Sequence, residues 1–186
     1  MNYLLIVLIF LFNIFFFLRA FLLSKSIGKT IKAKNLLVNA SIIFAGISTI
    51  IFLAHLIFPG SDRYLFIIYS SELLTITGSI LIAIGLIFSS TASLSMGKSW
   101  RIGVDENEKT DLITKGIYKI SRNPYFFSYD LVLTGMVFCV ISPILITSVL
   151  VTIILFHLMI LKEEKYLESK HQDAYREYKK KVRRYI

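Results

Sequence analysis

Three long apolar runs dominate the first half of the chain, at roughly residues 2–23, 36–58 and 66–90. Each is long enough to cross the ~30 Å hydrocarbon core of a bilayer. A fourth apolar block, from about 125 to 161, is too long for one crossing. Ser142 and Pro143 interrupt it, and a proline inside a helix lacks an N–H and clashes with the preceding turn. The block reads as two short helices joined by a tight turn. The pattern predicts an all-α integral membrane protein with five transmembrane helices, the last two a tight hairpin. Beyond residue 161 the rhythm changes. Leu161, Tyr166 and Leu167 open a helical pattern, and Tyr175, Tyr178, Val182 and Tyr185 recur at three- and four-residue spacing. The opposite face is rich in Lys and Arg, which predicts a C-terminal amphipathic helix at the membrane surface. Residues 96–111 read as a loop, and LITKGIYKIS (112–121) as a segment lying along the interface, with Trp100 and Tyr118 at headgroup depth.

Composition and charge support this outline. The 186 residues are 55% hydrophobic with a formal charge of +9, which excludes an ordinary soluble domain. Basic residues fall in segments 24–35, 91–123 and 162–186, whereas the N-terminus and the 142–143 turn hold none and the 59–65 link holds only Arg63. Five spans put all three basic segments on one side, which the positive-inside rule makes cytoplasmic, with the N-terminus outside. Topology and anionic lipid headgroups thus explain the excess charge without nucleic acid. The first run lacks a basic n-region and a cleavage pattern, so it reads as a span and not a signal peptide. The lone Cys139 forms no intrachain disulfide and suits packing.

Isolated polar residues within the spans have structural readings first. Asn13 and Asn39 suit cross-helix hydrogen bonds, Arg19 can snorkel, and His55 suits a structural role. Glu72 lies about two turns inside the third run, where an acid is a functional suspect. Gly46, Gly78 and Gly85 permit close helix packing.

The chemistry gathers elsewhere. Arg122, Asn123, Tyr125 and Asp130 stand at the start of span four, and His157, Glu163 and Glu164 at the end of span five. A hairpin makes these ends neighbours, and Trp100, Tyr118 and the tail tyrosines can roof the space. The chain has no Walker A loop, Rossmann glycine fingerprint or nucleophile elbow, and no metal ligands at credible spacing, so no metal is expected. Carboxylates, a guanidinium and aromatic faces suit a zwitterionic, cationic cofactor such as S-adenosylmethionine. For an acceptor that needs a base, His157 or Glu164 could serve.

Three motifs carry a resemblance. LITKGIY (112–118), SRNPYF (121–126) and EEKYL followed by YREYKKKV, with Gly135 between them, make the C-terminal half similar to the isoprenylcysteine carboxyl methyltransferase family, within the wider phospholipid-methyltransferase-like membrane enzymes. With no internal repeat and no low-complexity linker the chain reads as one membrane domain, residues 1–90 a three-helix scaffold, and the resemblance implies that 91–186 is a cofactor-binding catalytic half. It implies an S-adenosylmethionine pocket built from Glu106, Asp111, Leu112, Ile113, Tyr118, Asn123, Pro124, Tyr125, Phe126 and Glu163. Arg122 and Glu164 are the expected catalytic pair. Trp100 and Met159 are the expected substrate contacts. Asn123-Pro124 also has the form of a helix start, with Asn capping and Pro in the first turn.

The departures bear on the substrate. Asn123 replaces the family's histidine, and Met159 stands where enzymes acting on prenylcysteine present an arginine. These argue against a prenylated-protein carboxylate and for a small lipophilic acceptor entering from the bilayer. Membrane lipids are the other expected partners; the oligomeric state is open. Two other classes stay open: an NADPH-dependent enzyme of the sterol-reductase type, and a non-catalytic membrane scaffold.

Overall fold

The computed structural model describes residues 2–33, 35–58, 60–103 and 111–186. Over those residues it holds five helices: α1 (Asn2–Ile27), α2 (Leu36–Ile57), α3 (Glu72–Met96), α4 (Pro124–Cys139) and α5 (Pro143–Lys181), and no strand. Four of them, α1, α2, α3 and α5, are long and apolar enough to cross a membrane. The 16-residue α4 is about 24 Å long, somewhat short of the bilayer core. Phe17, Ile50, Ile87 and Ile154 face outward and exposed, as lipid-facing side chains do.

Local chemistry sets the helix ends. The Asn35 side chain accepts from Val38 N at 2.9 Å and starts α2. Ser71 caps α3, so Glu72 is the first residue of that helix and exposed, not two turns inside a span. Residues 66–71 are not helical as their hydropathy predicts: Phe66 has φ 52°, and Ile68 N donates to Ile141 O at 3.0 Å. That stretch straps the turn between α4 and α5, where the Ser142 hydroxyl caps α5 and also donates to Leu65 O.

The α3–α4 seam is the tightest contact. A Cβ on Gly78 would lie 2.5 Å from the Gly135 carbonyl oxygen, and one on Gly85 would lie 2.6 Å from that of Ser128. Close backbone approach through small residues is how membrane helices gain packing energy without a hydrophobic driving force. Gly46 differs. A Cβ there meets nothing within 4 Å, because this glycine faces open space and not a helix. Asn13 likewise forms no cross-helix bond among the described residues; its amide donates to Ile9 O one turn back.

The last helix does not stop at residue 161: α5 runs from Pro143 to Lys181, 39 residues, in two helical parts that meet at a kink at Gln172 (φ 43°). Its apolar part is 143–161, and the charged part from 162 projects beyond it. After the kink, Tyr175 and Tyr178 turn inward and are buried, and the Tyr178 hydroxyl donates to Tyr118 O at 2.6 Å.

The three basic segments collect at one end of the bundle. Arg19 donates to Ser93 O and Gly97 O, joining the end of α1 to the end of α3. Ala33 N and Ile102 O pair at 2.9 Å, and Arg122 N and Arg183 O at 2.9 Å. The 66–71 strap and the 140–142 turn occupy the opposite end.

Candidate functional site

At the basic end the chain brings together residues far apart in sequence. Pro124 begins α4 with Asn123 before it, but the Asn123 side chain does not cap the helix. It donates instead to Glu164 Oε1 and to Arg184 O, each at 3.3 Å. Glu164, 5% exposed, is the hub of this corner. Its Oε1 also meets Arg122 Nη2 at 3.1 Å and Arg184 Nε at 3.1 Å, while Oε2 accepts from Arg184 Nη2 at 2.9 Å. Burial pushes the Glu164 pKa up, but the Arg184 hydrogen bonds and the Arg122 and Arg184 charges outweigh it and hold the carboxyl below its ordinary value.

Arg122 is not saturated by that contact. Its Nε and Nη1 are buried without a hydrogen-bond partner among the described residues. A buried unpaired donor costs about 1–3 kcal/mol, more when charged, so two on one guanidinium favour an anion beside them. Arg122 lines a small, partly open cavity walled by Asp111, Leu112, Ile113, Tyr118 and Glu163 among others. Burial and the adjacent Glu164 charge push the Glu163 pKa up to about 7. Burial, then the Glu163 charge, raises the Tyr118 phenol well above its ordinary value. A cation and an acid thus share the wall of one space.

A narrower recess continues that space past Trp100, Asn123, Tyr125 and Phe126. The rings of Trp100 and Tyr125 meet edge to face with centroids 6.2 Å apart, and Tyr125 packs the same way on Phe126 at 5.8 Å. Tyr125 and Phe126 also border a larger apolar groove of about 1160 Å³ that reaches between α1 and α2. Ile42, Ala45, Gly46, Ile50 and Phe10 line its lipid side, and Met159 lies deeper. Arg101 borders all three spaces, its Nη1 donating to Lys98 O at 2.8 Å and Trp100 O at 2.9 Å.

The expected site residues therefore divide. Asp111, Leu112, Ile113, Tyr118, Arg122 and Glu163 line the first cavity, and Trp100, Asn123, Tyr125 and Phe126 the recess. Met159 lines the groove, where the Ser41 hydroxyl points at its sulfur. Pro124 is buried at the start of α4, and Glu164 lies behind Arg122 and lines none of these spaces. Glu106 lies outside the described residues. His157 is tied to the Tyr185 hydroxyl at 2.7 Å. Among the described residues no cluster of His, Cys, Asp or Glu could hold a metal ion.

The comparison with known families adds the decisive observation. The family model described as Phospholipid methyltransferase matches residues 73–174, more than half of the chain. The chain belongs to the phospholipid methyltransferase family. No curated protein matches it at a significant level. Membership makes it an enzyme of the methyltransferase class, and the long apolar helices make it a multi-pass membrane protein. The family match takes in α3, α4, the loop between them and Glu163 and Glu164. Two parts of the site lie outside it: the α1 and α2 walls of the groove, and the segment from Tyr175 to Ile186 with Tyr178 and Arg184.

Sequence reasoning missed Arg101 and Arg184. Arg101 follows Trp100 in a loop whose fold the periodicity does not reveal. Arg184 ends a run of basic residues that reads as a solvated face.

Proposed function

We propose that this phospholipid methyltransferase family member transfers a methyl group from S-adenosylmethionine to a small lipophilic acceptor held in the membrane. The observation that carries the reading is the pairing of Arg122, with two unpartnered buried donors, and Glu163 around one cavity that leads to a groove open toward lipid. The residues fit this cofactor. Arg122 suits its carboxylate, Glu163 its ammonium, and the Tyr125, Trp100 and Phe126 rings its sulfonium through cation–π attraction. Tyr118, Leu112 and Ile113 would flank the nucleoside.

When bound, the cofactor supplies an electrophilic methyl group, which an acceptor lone pair takes as the carbon–sulfur bond breaks and leaves a neutral thioether. The protein's part is alignment in a dry site. Met159, Phe126 and Tyr129 would hold the acceptor's apolar body in the groove, and the Trp100–Tyr125 recess would set its reacting end against the methyl. Glu164, ionised and fully engaged, serves to place Arg122. In this reading five helices cross the bilayer, with the basic end cytoplasmic and the N-terminus outside, supported by the three basic segments at one end. The likeness to isoprenylcysteine carboxyl methyltransferases is kept for residues 97–184, with an acceptor other than a prenylated-protein carboxylate.

Calorimetry with S-adenosylhomocysteine tests the cofactor. Purified protein should bind it saturably, and Glu163→Ala or Tyr118→Ala should abolish the signal. No binding by the unsubstituted protein, or stabilisation by NADPH in its place, would sink the reading. For the acceptor, Gly46→Phe should fill the groove. Methyl label reaching membrane lipid should fall more than tenfold, with homocysteine-product binding within twofold of the parent.

A further inference from the structure

The segment after the α5 kink returns to the site and is fastened there at several points. Arg183 O accepts from Arg122 N at 2.9 Å, and Arg184 O accepts from the Ser121 hydroxyl at 3.1 Å and from Asn123 Nδ2 at 3.3 Å. The Tyr185 hydroxyl meets His157 Nδ1 at 2.7 Å. At the centre, Arg184 grips both oxygens of Glu164 through Nε and Nη2, a fork-on-carboxylate geometry that fixes distance and orientation together. The Glu164 hydrogen bond raises the Arg184 pKa, so the guanidinium stays charged throughout.

This arrangement decides how Arg122 can sit. Glu164 is the acid that Arg122 meets: Oε2 is held by Arg184, and Arg122 Nη2 shares Oε1, at 3.1 Å, with Arg184 Nε and Asn123 Nδ2. Were Oε2 vacant, Arg122 could swing into a bidentate pair of its own and withdraw Nε or Nη1 from the cavity side. We infer that Arg184 is a positioning residue for the cofactor site: by occupying Glu164 from behind, it limits Arg122 to one contact and leaves its other donors for the ligand's carboxylate. Arg184 touches no ligand in this scheme and lies beyond the residues that the family match covers. The inference rests on the cofactor reading above and makes it more specific.

The test compares two ligands that differ in the part Arg122 would hold. S-adenosylhomocysteine carries the amino-acid carboxylate; methylthioadenosine keeps the nucleoside and thioether but lacks it. Arg184→Gln should weaken S-adenosylhomocysteine by about tenfold (~1.4 kcal/mol) and methylthioadenosine by less than twofold. Arg184→Lys keeps the charge but cannot fork, and should fall between. Equal losses for both ligands would reduce Arg184 to a structural tie, and unchanged binding of both would remove it from the site; either overturns the inference. If Arg184→Gln does not fold, as its thermal melt will reveal, the same ratio is read from Arg184→Lys. Failure of the unsubstituted protein to bind S-adenosylhomocysteine would take down the cofactor reading first and this inference with it.

Discussion

The α3–α4 seam and the groove between α1 and α2 are built on opposite principles, as Gly78 and Gly46 show. Both are helix glycines in apolar runs. Gly78 presses against the α4 backbone near the strapped end of the bundle, where an added Cβ would collide with Gly135 O. Gly46 opens on the groove between α1 and α2, with nothing within 4 Å of an added Cβ. The corner around Glu164 is ionic and densely hydrogen-bonded, whereas the groove is largely apolar and unfilled. A single electrostatic site for one charged ligand calls for the first. A space for a lipophilic guest calls for the second.

The comparison breaks most readily at Glu164. Glu164→Ala should strip Arg122 of the carboxylate it meets at 3.1 Å, and removing one partner of a buried pair costs about 3–5 kcal/mol. Thermal unfolding in detergent should show the largest loss of any single substitution at this end. The pH dependence has a definite sign. The Glu164 pKa is depressed in the fold, so its stabilisation is present above the unfolded carboxyl pKa and is lost as pH falls through the folded value. An acid-side melting profile that Glu164→Ala leaves unchanged would show that the corner is not held by this ion.

The glycines supply the next test, and here the signs differ. Gly46→Ala should be neutral or stabilise by up to about 1 kcal/mol, since alanine loses less backbone entropy in a helix. Gly78→Ala should destabilise by about 1–3 kcal/mol through overpacking against α4. Equal effects would mean that the seam and the groove are not the distinct environments described here.

Much of this contrast was legible in the residues, for physical reasons. Apolar run lengths mark α1, α2 and α3, and Ser142-Pro143 marks the break before α5, because capping and a missing N–H act locally. The meeting of Arg122 with the acidic pair follows from hairpin connectivity alone. Connectivity does not say which of two adjacent acids faces a ligand: Glu163 lines the cavity and Glu164 turns behind it. Residues 66–71 were misread since hydropathy cannot distinguish a helix turn from an extended strap that pairs with Ile141. The return of Arg184 is a long-range contact made after a positive-φ kink at Gln172, a residue type that gives little local warning. The groove was invisible because a cavity is an absence between α1 and α2, and no single residue encodes it.

The smallest effect separates the two regions by proton concentration. Glu163 has a pKa pushed up to about 7 by burial and by Glu164, so at pH 6 about a tenth of it is ionised and at pH 8 about nine-tenths. If the ionised form is what meets the ligand's ammonium, S-adenosylhomocysteine affinity should rise about tenfold from pH 6 to pH 8, or ~1.4 kcal/mol. The direction follows from the charge: a carboxyl held neutral below its raised pKa offers no anion, and gains one as the pH climbs. Glu163→Gln should abolish the slope while keeping the side-chain volume. A fluorescent fatty alcohol lodged in the groove should show no such slope, because the groove's lining holds no carboxyl or imidazole. A pH slope that survives in Glu163→Gln would move the titrating group elsewhere and detach Glu163 from the ligand.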